Sequence, residues 1–212
     1  MPARDNMCFV IAIDGPAAAG KGTVAKTVSN HFGFAYLDTG LLYRAVAAKT
    51  LLGEDPVKAA ERLDLETLNN SNLRSAEVAN AASKVAGIPE VRAALFHFQK
   101  RFAQRPGGAV LDGRDIGTAI CPDADLKLFV TAASEVRAKR RFEELRENGA
   151  FIDYEKVLTD LKARDARDMS RQDAPLVAAN DAKIIDTSDL TIEQSNERAV
   201  KLTQMALDDL YQ

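Results

Sequence analysis

Cysteine is scarce in this chain: Cys8 and Cys121 are the only two among 212 residues. Two thiols cannot build a multi-bridge framework, and neither has a CxxC partner or a nearby histidine to suggest zinc, so a reducing compartment fits best. Histidine is equally sparse. His31 and His97 stand alone and read as neither metal ligands nor catalytic bases. Long apolar runs are missing as well: the stretch Cys8 to Ile13 is too short for a signal-peptide core or a spanning helix, and the expected location is cytoplasmic. Nor is there a surplus of positive charge, since 28 Lys and Arg face 31 Asp and Glu, a formal net charge of −3. That balance argues against a general binder of nucleic acid or of membrane surfaces, and no interleaved aromatics or nucleic-acid motif accompany the local basic clusters. Repeats and low-complexity tracts are absent. What remains, 46% hydrophobic and 28% charged residues over this length, is the composition of one ordinary folded domain.

Five short apolar segments stand out: Cys8 to Ile13, Phe34 to Leu37, Ala109 to Leu111, Leu126 to Val130 and Lys183 to Ile185. Near-continuous apolar character suits strands covered on both faces, as in a parallel sheet between helices, so the pattern predicts an α/β fold. A helix is expected over Thr23 to Phe32, stopped by Gly33, and another from Ser134 to about Asn148-Gly149. A last one follows Thr191, whose TxxQ pattern with Gln194 is a capping box. Between the second and third strands, Leu51 to Pro106 holds helix formers such as Ala76 to Ala86 and no convincing strand, which predicts a helical insertion.

The segment Gly15-Pro16-Ala17-Ala18-Ala19-Gly20-Lys21-Gly22-Thr23 follows an apolar strand and opens a helix. There, backbone N–H groups can surround phosphates, the helix terminus adds positive potential, and Lys21 can reach the terminal phosphates. Lys21 is followed by Gly22, with the hydroxyl one position later at Thr23, and this GKGT ending resembles that of nucleoside monophosphate kinases. In Asp38-Thr39-Gly40-Leu41-Leu42-Tyr43-Arg44, Thr39 is expected to cap a helix that carries Arg44 toward a phosphate; alone, it also reads as a capped helix with a surface arginine. After the third strand, Asp112-Gly113-Arg114-Asp115 lies where open α/β sheets bind ligands, and Asp112 can hold magnesium there directly or through water; alone, the segment also reads as an ordinary polar turn. Arg164, Arg167, Asp168 and Arg171 fall at i, i+3, i+4 and i+7, on one helical face that is either an anion site or a solvated surface partly neutralised by Asp165 and Asp168. Arg137, Lys139, Arg140 and Arg141, followed by Gly149, suggest a small basic lid.

Taken in order, GPAAAGKGT, LDTGLLYRA, EVANAASKVA, LDGRDIGT, RDARDMSR and the following APL resemble bacterial cytidylate kinases across nearly the whole chain. The resemblance implies a P-loop fold with a five-stranded parallel sheet flanked by helices, a helical monophosphate-binding region at about 40–106 and a short lid at about 137–172. It implies phosphoryl transfer from ATP to CMP or dCMP with Mg2+, by a monomer with no nucleic-acid or membrane partner. Residue by residue, it makes Gly15 to Thr23 the ATP phosphate loop. It sets Ser83, Arg92 and Asp115 against cytosine, Arg164 and Asp168 against the sugar, and Arg44, Arg114 and Arg171 against phosphates, with Thr39 beside them. Lys21, Arg114, Arg140, Arg164 and Arg171 are the expected catalytic residues.

One departure is Leu63 to Ser75, where longer family members carry a strand-containing insertion and this chain has only a brief polar connection. It holds none of the expected base-contacting residues. Another small P-loop kinase and a nucleotide-binding switch are the alternatives, and the absence of an NKxD guanine-reading motif counts against the switch.

Overall fold

A computed structural model describes residues 8–63, 68, 71–147 and 149–210. Positions 64–67 and 69–70 of the Leu63 to Ser75 connection lie outside the described residues. The strands are β1 (Val10–Asp14), β2 (Ala35–Asp38), β3 (Ala109–Asp112), β4 (Leu126–Thr131) and β5 (Lys183–Asp186), all parallel, in the order β2-β3-β1-β4-β5. Each ends one residue later than its apolar segment, on Asp14, Asp38, Asp112, Thr131 or Asp186. Composition marks the strand only as far as the core reaches, whereas the ladder continues through one polar residue onto the carboxyl edge of the sheet. In an open α/β sheet that edge is where ligands bind.

Period-two alternation sorts the strands' side chains between two cores. Ile11, Ile13, Val110, Leu128, Val130 and Ile185 pack with Val24 and Val28 of α1 (Lys21–Phe32) and Ala199 of α8 (Ile192–Leu210). On the opposite face Ala12, Leu37, Ala109 and Leu111 meet the helical insertion, made of α2 (Thr39–Leu51), α3 (Pro56–Glu61), a 3-10 turn (Ser71–Arg74), α4 (Ala76–Val85) and α5 (Pro89–Ala103). Covering both faces buries the parallel ladder completely at its centre; burying each of these large aliphatic side chains is worth about 1.5–3 kcal/mol. A third, small cluster of Ala138, Leu145 and Val157 joins α6 (Ser134–Glu147) to α7 (Tyr154–Met169) as a hairpin with its own apolar contact.

Local signals set the helix ends. Helix α1 begins at Lys21, two residues before its expected start, because Gly20 takes a left-handed φ of +92° as its N-cap, and it stops at Gly33, at φ +72°. Thr191 and Gln194 exchange the two side-chain bonds of a capping box at the head of α8, at 2.9 and 3.2 Å. Thr39 is not the cap of α2: it is the first helical residue, after Asp38. Pairing of β2 with β3 sets Asp38 beside Asp112, and the Thr39 hydroxyl donates to the Asp112 carbonyl at 2.7 Å instead.

Candidate active site

The loop between β1 and α1 is held by its carbonyls. Lys21 Nζ donates to the Pro16 carbonyl at 2.9 Å, an Arg137 Nη to that of Ala17 at 3.3 Å, and the Thr187 hydroxyl to that of Ala19 at 3.1 Å. With these acceptors occupied, the hydrogen-bonding capacity left in the loop is weighted toward N–H donors, which suits an anion. No side chain caps α1, so its positive terminus also serves the loop. Gly15 is required sterically: a Cβ there would lie 1.9 Å from the Val130 carbonyl oxygen, on the strand beside it. Ala18 holds φ +59°, a left-handed conformation uncommon outside glycine, at the tip of the loop.

Lys21 is buried, and its ammonium is pushed down to about 7, first by desolvation and then by the positive Arg114. Asp112, at the end of β3, accepts from the Tyr36 hydroxyl at 3.1 Å; burial, then the neighbouring Asp38, raises its carboxyl to about 6, and Lys21 opposes that rise. These are opposite charges held dry with too few partners.

Across the sheet edge a pocket is lined by Thr39, Gly40, Tyr43, Ser83, Arg92, Arg114, Asp115, Arg164, Asp168 and Arg171, among others. Its centre is Asp168, 1% exposed. The carboxylate accepts from Ser83 Oγ and Arg114 Nε, each at 3.1 Å, and from Arg171, with Arg164 at 3.9 Å. The three guanidiniums hold it below the usual carboxylate range despite the opposing effect of burial. Beside it, Arg92 pairs with Asp115. Arg171 reaches Asp168 from beyond the end of α7 rather than from the expected helical face, and Arg167 does not line this pocket. One carboxylate cannot balance three guanidiniums, and the buried Nε atoms of Arg164 and Arg171 find no hydrogen-bond partner among the described residues.

A neighbouring cleft runs from Ala17 and Ala18 of the loop to Arg44, Arg74, Arg141 and Arg164. Burial, followed by the closeness of Arg141, lowers the Arg44 guanidinium to about 10, while burial and then Arg114 lower Arg164 to about 9. Positive charges so crowded and desolvated make a site for polyanions. The structure does not bring Arg140 to this group. Its guanidinium donates to the Thr187 hydroxyl at 2.9 Å and the Thr187 carbonyl at 2.8 Å, on a cleft at the other side of the loop lined by Gly20, Thr23, Leu190 and Ile192.

Sequence reasoning missed Arg74, whose place in the cleft depends on the fold of the insertion. It also passed over Arg137 as one member of a basic run, although this 4% exposed side chain ties the loop to the Ala132 carbonyl at 2.8 Å and to Asp165 at 2.8 Å. Asp14 escaped notice as a mere strand end, yet its carboxylate accepts from two backbone N–H groups more than 100 residues away.

The family model described as cytidylate kinase matches residues 11–205. The chain is 57% identical over 199 residues to a cytidylate kinase of Cereibacter sphaeroides, covering 94% of this chain and 97% of that protein. With a cytidylate kinase of Methylocella silvestris the identity is 54% over 209 residues, covering 95% and 97%. The fold is similar to that of a shikimate kinase from Acinetobacter baumannii, with a TM-score of 0.50 at 16% identity over 94% of this chain and 93% of that one.

Proposed function

The chain belongs to the cytidylate kinase family, and from that premise we propose how its cleft carries a phosphoryl group from ATP to CMP or dCMP. The observation that supports this reading is that one side chain, Arg164, lines both the cleft beside the phosphate loop and the pocket around Asp168. Donor and acceptor phosphates entering from the two sides would meet at that guanidinium.

The acceptor oxygen of a nucleoside monophosphate is already anionic near neutral pH, so no strong base is required, and the residues work by alignment and neutralisation. The loop from Gly15 to Thr23 holds the donor phosphates, and Lys21 leaves the Pro16 carbonyl to follow the transferring group. Arg44, Arg114 and Arg171 hold the acceptor phosphate, with Thr39 beside it. Asp168 takes the sugar together with Arg164, whose guanidinium also faces the phosphates, and Ser83, Arg92 and Asp115 read the base. Asp115 accepts from the exocyclic amine of cytosine, whereas the carbonyl of uracil in that place would face a carboxylate. Arg140 and Thr187 serve the donor nucleotide's side of the loop.

Among the described residues there is no group of three or more His, Cys, Asp or Glu able to cage a metal. The pair at the strand ends, half-buried Asp38 and buried Asp112 with its carboxyl above the usual range, fits a hydrated Mg2+. Asp112, with Asp38 behind it, would hold that ion through water, and when bound the ion neutralises and orients the donor phosphates. The hairpin of α6 and α7, with its small separate cluster, acts as the lid that excludes water as a competing acceptor. The chain works as a single cytidylate-kinase-like unit, and we read it as a monomer. Among the described residues no helix is long and apolar enough to cross a membrane.

Steady-state rates with saturating MgATP and CMP, dCMP, UMP or AMP test the base-reading assignment. Two mismatched buried polar contacts should favour CMP over UMP by about a hundredfold in kcat/KM. Comparable values for CMP and UMP would contradict it.

A further inference from the structure

We infer that Asp14 is a positioning residue that clamps the segment carrying Arg114 and Asp115 to the strand that opens the phosphate loop, so that base selection depends on a carboxylate that touches no substrate. This rests on the reading of Asp115 given above. Asp14 Oδ1 accepts from the Ile116 N–H at 2.8 Å and Oδ2 from the Gly117 N–H at 2.7 Å. These two amides follow Asp115 directly, and the Asp115 carbonyl accepts from Ala119 at 2.8 Å and Ile120 at 3.2 Å. On the other side of Arg114, the Gly113 N–H donates to the Ile13 carbonyl at 2.9 Å. The segment is therefore fixed to β1 at both ends, once by backbone and once by the Asp14 side chain.

A carboxylate is a costly way to fasten a turn. Asp14 is buried, and burial raises its carboxyl to about 7 against the two amide bonds, which lower it. The carboxylate gives each of the two adjacent N–H donors an oxygen of its own. An asparagine would turn its own NH2 toward one of them and leave that amide unpaired. Gly117 lies in the same contact: a Cβ there would meet Asp14 Oδ2 at 3.4 Å, an ordinary contact, and the flexible Lys127 side chain at 3.2 Å, so the clamp depends on the carboxylate and not on the glycine. The phosphate loop has its own ties through Lys21, Arg137 and Thr187, which do not pass through Asp14. Loosening the clamp should disturb base reading while leaving donor binding in place.

The test compares Asp14→Asn and Asp14→Glu with the wild type, with kcat/KM for CMP and UMP and calorimetric ATP affinity measured for each protein. Each variant should narrow the CMP preference by about tenfold, through a raised KM for CMP, with ATP affinity unchanged. If Asp14→Asn fails to fold, Asp14→Glu, which keeps both oxygens but sets them one methylene farther out, carries the test alone. A wild-type preference for CMP that persists in every folded variant overturns the clamp. A wild-type enzyme that treats CMP and UMP alike overturns the base-reading assignment, and the clamp with it.

Discussion

Lys21 enters the site in an unusual charge state for a lysine. Burial and the Arg114 guanidinium bring its ammonium to about 7, from 10.5, so near pH 8 much of it is neutral in the empty protein. Polyphosphate in the loop supplies the missing negative charge and restores the proton. ATP binding at pH 8 should therefore be accompanied by proton uptake, seen as a dependence of the calorimetric enthalpy on the ionisation enthalpy of the buffer. Asp112, raised only to about 6, is already ionised at that pH and does not mask the effect. In Lys21→Met the uptake should disappear, and turnover should fall by about a hundredfold or more as a preorganised charge contact is lost. The sign follows from linkage: the folded chain binds fewer protons than the unfolded one between about pH 7 and 10, so this group's contribution to stability rises with pH across that window. Lys21 was legible in the sequence because glycine spacing, strand and helix all lie within a dozen residues of it. Asp14 was not, because its partners Ile116 and Gly117 become neighbours only when β3 pairs with β1.

At the scale of elements, the clearest case is the end of α7. The spacing of Arg164, Asp168 and Arg171 pointed to an anion site, and Asp168 does receive both arginines along with Arg114 from after β3. Helical periodicity pointed to side chains that do come together, but for a partly different reason, since α7 ends at Met169 and Arg171 returns from the following turn. An internal carboxylate that stands among three guanidiniums stabilises the empty pocket without neutralising it. A bisubstrate analogue joining adenosine and cytidine through phosphates should accordingly raise the Tm by mass action. Arg171→Ala should shrink that ligand-induced shift more than it changes the Tm of the free protein, because it removes a phosphate contact and relieves crowding together. A full-sized shift in the variant would return Arg171 to a purely structural role. Helix ends written in local chemistry, such as the Thr191–Gln194 box, were legible; the turn that redirects Arg171 was not.

For the whole molecule, the sheet edge is the organising fact. All five strands stop on a polar residue, and the phosphate loop, Asp38, Asp112, Arg114, Asp115 and Thr187 all follow from that one edge. Apolar segments made the strands and the parallel α/β class legible, since a ladder buried on both faces tolerates little else. Their order could not be read the same way, and with it went the meeting of Arg44, Arg74 and Arg141 from the insertion and the α6–α7 hairpin. On the proposed reading, two polyanions are held against each other at that meeting with water kept out. The most direct test of this account measures the products of MgATP turnover with and without CMP. The account predicts ADP and CDP in equal amounts when CMP is present, and ADP formation at least about a hundredfold slower without it. ADP release at the same rate without CMP, or inorganic phosphate in place of CDP, would contradict it.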